Sequence, residues 1–172
     1  MAIFPNRPEE LQRLDWSLLE DNASTLYVQT EFINEDIEWL RAHNYRIDAF
    51  DCTLWTTEKI MLKELAAHFG SPDYEGCNLD MLKDWLWNLE IPEEGGRVLV
   101  FLRFDAFLKR FPNAAWIIIE YVEMSSRRML LFGRRLLALV QLDDPNISLR
   151  PIGARQPKWN SHERVLYESF GQ

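Results

Sequence analysis

The chain has little sulfur and little imidazole: two cysteines, Cys52 and Cys77, and three histidines, His43, His68 and His162, in 172 residues. Two cysteines are too few for a disulfide scaffold, and neither they nor the histidines show a metal-ligand spacing. Runs of about 18 apolar residues, which a membrane-spanning helix needs, are also missing. The opening Met-Ala-Ile-Phe-Pro-Asn-Arg-Pro-Glu-Glu has no basic segment followed by a long apolar one, so neither secretion nor membrane insertion is expected. A reducing cytosol is the expected location. No Gly-rich phosphate loop, His-Glu metal helix or nucleophile elbow occurs. Cys77 precedes a helix N-terminus, which favours a thiolate, but the acids around it oppose one. Asp80 and Asp84 have no third ligand near them in sequence. The expectation is a non-enzyme with no catalytic residues, no metal and no cofactor.

Acid, by contrast, is abundant, and it is concentrated. The net charge is −8. Between residues 73 and 94, Asp73, Glu75, Asp80, Asp84, Glu90, Glu93 and Glu94 stand against Lys83 alone, which gives −6. Such a field repels nucleic acid and steers a basic partner inward. From Asn146 onward Arg150, Arg155, Lys158 and Arg164 outnumber Glu163 and Glu168, leaving that tail at +2. A basic tail on an acidic body is expected to fold back onto it.

The length suits one domain, able to bury about 70% of its unfolded surface. Strands are predicted over 45–51, 97–103 and 134–142, and helices over 57–69, 79–89 and 113–130. Val98 to Leu102 and Leu136 to Val140 are continuously apolar, as strands covered on both faces are. Strands alternating with helices predict a three-layer α/β domain with a short parallel sheet. Before it, residues 1–44 read as a helical extension packing on the core, with helices over 8–22 and 34–43 and a β-prone run from Thr25 to Gln29. After the domain at 45–143, residues 144–172 read as a tail with a short helix over 161–169. The stripe Trp116, Ile117, Ile119, Glu120, Tyr121 and Met124 reads as core helix.

The most informative segment is Pro72-Asp73-Tyr74-Glu75-Gly76-Cys77-Asn78-Leu79-Asp80-Met81-Leu82-Lys83-Asp84. Gly76 allows positive φ, and Asn78 is a favoured N-cap. Leu79, Leu82, Leu86 and Leu89 recur at helical spacing, which turns Asp80, Lys83, Asp84 and Trp87 onto the opposite, outward face. Asp80 is explained in part by the helix dipole; Asp84, beyond the first turn, is not. Trp87 on that face needs a reason: it is either covered by the extension or tail, or it is an anchor for a partner.

The spacing Pro-x-Tyr-x-Gly-x-Asn-Leu-Asp-x-Leu-x-Asp resembles the barstar family, small acidic proteins that inhibit secreted or injected ribonucleases by plugging the active site. Tyr45 to Asp51 looks like the family's first strand, Thr57 to Phe69 like its first helix, and Arg97 to Arg103 and Arg134 to Gln141 like its other strands. The resemblance covers roughly residues 45 to 143. It implies a barstar-like fold and a cytosolic immunity protein binding a basic ribonuclease or other nuclease toxin, with 1:1 stoichiometry and no direct contact to nucleic acid or membrane. The residue matching Asp84 would take the place of a substrate phosphate among catalytic cations. Tyr74, Gly76, Asn78, Leu79, Asp80, Lys83 and Trp87 complete the expected partner-binding set. The family commonly has Trp where Lys83 stands, and Arg128 falls where the best-known inhibitor has an interface acid, so a target with a different charge pattern is expected. A module of the same fold binding a non-nuclease partner is the alternative.

Overall fold

The computed structural model describes residues 7–70, 76–153 and 155–164. Five parallel strands form one sheet: β1 (Ser24–Tyr27), β2 (Tyr45–Asp51), β3 (Gly96–Leu102), β4 (Leu136–Gln141) and β5 (Lys158–Trp159), in the order β2-β3-β4-β1-β5. The central strands β3 and β4 are apolar along their length because both of their faces are covered.

One face carries Phe50, Leu99, Phe101, Ala138 and Val140. It is covered by α3 (Glu58–Phe69), α4 (Leu79–Trp87), α5 (Phe104–Arg110) and α6 (Pro112–Leu131). The other face carries Val98, Val100, Leu137 and Leu139 and is covered from α1 (Leu14–Leu19) and α2 (Thr30–Ala42) through Leu18, Ile33 and Leu40. The result is three layers, helix on sheet on helix.

Several elements differ from the sequence reading. The helix expected over 8–22 is a single 3-10 turn, Glu10–Gln12, then α1, with Arg13 extended between them (ψ 141°). Asp15 is drawn inward there, held by Arg13 at 2.8 Å and by the Tyr45 hydroxyl at 2.7 Å. Helix α2 starts at Thr30 rather than Asn34, because Glu163 from the far end of the chain accepts from the amides of Val28 (2.8 Å) and Gln29. Helix α5 was not expected. Its aromatic ladder, Phe104, Phe107 and Phe111, has helical spacing, and Pro112 then starts α6 in the position proline favours. Within α6, Ala114, Ala115, Ile118, Ile119, Val122 and Met129 are the buried apolar residues, whereas Met124, read as core, is 42% exposed.

The first 44 residues contribute strand β1 as well as helices. β1 pairs with β4 over Ser24 to Tyr27, and Glu123 of α6 receives the amides of Ala23 (3.0 Å) and Ser24 (2.8 Å). The basic tail does return: Thr25 and Leu26 pair with Lys158 and Trp159, Asn160 donates to Asp36 at 2.9 Å, and Arg155 meets Asp21 at 3.2 Å. Residues 161–164 are helical, and the remainder of the helix expected to 169 lies outside the described residues.

Candidate functional site: the exposed face of α4 and its seam with α6

The position of α4 is set by a buried arginine. Arg97, at the start of β3, is 2% exposed, and its guanidinium donates to Asp48 Oδ2 at 2.6 Å, to the Glu90 carbonyl at 3.0 Å and to the His68 carbonyl at 2.8 Å. His68 lies in the last turn of α3 and Glu90 follows α4, so one side chain ties both flanks of the α3–loop–α4 segment to the sheet. A buried charge is tolerated only when paired and hydrogen-bonded, and here the ion pair is with Asp48 of β2 while the two carbonyl bonds go to the end of α3 and the chain after α4. Phe69 adds its ring, 5.8 Å from the guanidinium carbon.

The start of the helix is set locally. Gly76 has φ 80°, a conformation open to glycine. The Asn78 side chain accepts from the amides of Asp80 (3.0 Å) and Met81 (3.3 Å), the N-cap that its position predicted. Leu82 and Leu86 are fully buried, Leu89 nearly so, and Leu79 packs at the edge of the same cluster. Tyr74, expected in the site, lies outside the described residues.

On the outward side Asp80 and Asp84 are exposed one turn apart. Asp80 faces α6: burial and then the nearby, hydrogen-bonded Asp80 carboxylate push the Tyr121 phenol up from its ordinary range. Tyr121 is partly buried, packed against the core cluster with Asp80 beside its hydroxyl. Asp84 makes no ion pair among the described residues, leaving its carboxylate available to solvent.

Lys83 and Trp87 differ from the freely outward residues expected. Trp87 is half-buried at the junction of α4 and α6, with Lys83 Nζ and the Arg128 guanidinium carbon each 4.6 Å from its ring centroid. Its indole Nε1 is buried with no hydrogen-bond partner among the described residues. Among the described residues, the neighbour over Trp87 from outside its own helix is Arg128 of α6. Lys83 thus sits on the aromatic one turn later, so cation and ring lie side by side.

Sequence reasoning missed Arg97 and Tyr121. The signal for Arg97 was present: a charged residue heading an otherwise apolar strand, with Asp48 equally out of place in β2. No signal told Tyr121 from a core aromatic, because its partner Asp80 lies on another helix.

Among the described residues no group of three or more His, Cys, Asp or Glu side chains is arranged to hold a metal ion. Neither cysteine forms a disulfide, and burial pushes the Cys52 thiol well above its ordinary range. The arrangement provides a rigid acidic surface flanked by cations, suited to binding. A search of curated proteins found no relative that matches. The family model described as Barstar (barnase inhibitor) matches residues 45–141, from the first residue of β2 to the last of β4, and so takes in Arg97, the loop, α4 and α6. With more than half of its length matched across this site, the chain belongs to the barstar family.

Proposed function

We propose that this chain is a non-catalytic inhibitor of a ribonuclease, acting as an immunity protein in the cytosol of the cell that produces or meets the toxin. The observation that carries the reading is the exposure of Asp80 and Asp84 on a helix whose two flanks are fixed by Arg97 and whose first turn is capped by Asn78. A carboxylate on a helix whose backbone is already ordered adds little further backbone ordering cost when it meets cations in a cleft, and the attraction strengthens as water leaves. A cleft built to bind phosphate supplies such cations. Asp84 would stand where a phosphate stands, with Asp80, Leu79, Gly76 and Tyr74 filling the adjoining space, so RNA is excluded by occupancy.

Tagged protein retained on a column captures its partner from the source cell, and the captured protein is then co-expressed with and without this chain. The expected result is a ribonuclease whose toxicity and RNA degradation are relieved by the wild type and not by Asp84→Ala. Capture of a protein without nuclease activity would overturn the inhibitor reading in favour of an interaction module of the same fold.

A further inference from the structure

The acidic half of the face is only part of what α4 and α6 present. Along α6, Met124, Arg128 and Leu131 lie at i, i+4 and i+7, and Phe132 follows one turn after Arg128, so the four share one side of the helix. Met124 is 42% exposed, Leu131 85% and Phe132 68%, an unusual amount of large apolar surface at one helix end. Arg127 and Arg128 are both exposed, and the Arg128 guanidinium carbon lies 5.9 Å from the Phe132 ring centroid and 4.6 Å from that of Trp87. Lys83, Trp87, Arg128 and Phe132 therefore form a continuous row of alternating cation and ring beside Asp80 and Asp84.

We infer that this row is a specificity filter, resting on the inhibitor reading above: it admits a ribonuclease whose cleft is bordered by carboxylates and an apolar patch, and it rejects one whose rim is uniformly basic. Charge complementarity supplies the direction. A target steered by Asp80 and Asp84 must be basic in its cleft, yet any lysine or arginine reaching the α6 side meets Arg127 and Arg128, a like-charge contact that disfavours the wrong partner. A carboxylate there gains a guanidinium whose carbon lies 4.6 Å from the Trp87 ring and whose planar fork can give two parallel hydrogen bonds. Arginine, methionine and phenylalanine are the residue types that desolvated interface centres favour.

The probe is barnase, the ribonuclease named in the family description and a nuclease steered to its inhibitor by opposite charge. Titration calorimetry compares wild type, Arg127→Glu and the double variant R127E/R128E, with melting curves to establish that each is folded. The filter predicts that the double variant binds barnase at least tenfold more tightly than wild type, with Arg127→Glu between them. Affinity that is unchanged, weaker, or undetectable for all three overturns the filter. With the ribonuclease captured above, R127E/R128E and L131S/F132S should each weaken binding at least tenfold; retention of wild-type affinity by both overturns it as well. The inhibitor reading is tested apart from this, since it fails only if Asp84→Ala still relieves toxicity or the captured partner is no nuclease.

Discussion

Arg97 has no exposed surface to offer a partner, yet the site depends on it. Its guanidinium is the common anchor of β2, the end of α3 and the chain leaving α4, and it is paired with Asp48, which is itself 5% exposed. Removing one member of such a pair leaves the other buried and uncompensated, whereas removing both together removes the demand. Arg97→Met should therefore lower stability by about 3–5 kcal/mol in urea unfolding, and Arg97→Met combined with Asp48→Leu should recover most of that loss. A single variant as stable as wild type would show that the clamp contributes nothing. Composition and spacing made Asn78, Gly76 and the α4 leucines legible, because a cap and a helical stripe are local signals. The clamp was not legible in the same way: its partners are 49, 7 and 29 residues away in sequence.

At the scale of elements, the strands of the matched region and α3, α4 and α6 followed from periodicity, while α5 and the division of the first helix did not. Strand β1 was visible as a β-prone run, but its place in the sheet depends on Glu123, 99 residues beyond Ser24, and on the still more distant β4. Helix α1 depends likewise on distant groups. Burial opposes ionisation of Asp15, but the hydrogen bonds from Arg13 and Tyr45 outweigh it and hold the carboxyl below the ordinary aspartate range. A folded-state value below the unfolded one means stability that is present above the ordinary aspartate value of about 3.9 and lost as pH falls through the lower, folded value. Denaturant unfolding from pH 7 to pH 2 should show a steep loss below pH 4 that is shallower in Asp15→Asn. Equal acid limbs in the two proteins would remove Asp15 from the account.

For the whole molecule, the barstar-matched region supplies one helical layer and three strands, and the segments before and after it complete the second face and extend the sheet. Val98, Val100, Leu137 and Leu139 are covered from α1 and α2, so the helix layer bearing the acidic face and the layer from the N-terminal segment lie on opposite sides of the sheet. The acidic face on α4, the seam with α6 and the cationic row are on the first of these layers, within the matched region. Of the acids that first marked residues 73–94, the described Asp80, Asp84, Glu90, Glu93 and Glu94 are all exposed.

The most direct test of the central claim is a stoichiometric titration of the captured ribonuclease's RNA cleavage with wild-type chain and with Asp84→Ala. The account predicts loss of activity that is complete at one wild-type chain per nuclease. For Asp84→Ala it predicts a weakening of several kcal/mol, the order seen for an aspartate of barstar at about tenfold per 1.4 kcal/mol, with the melting temperature unchanged because an exposed helical Asp gives way to a better helix former. Inhibition by Asp84→Ala equal to that of the wild type would contradict the account.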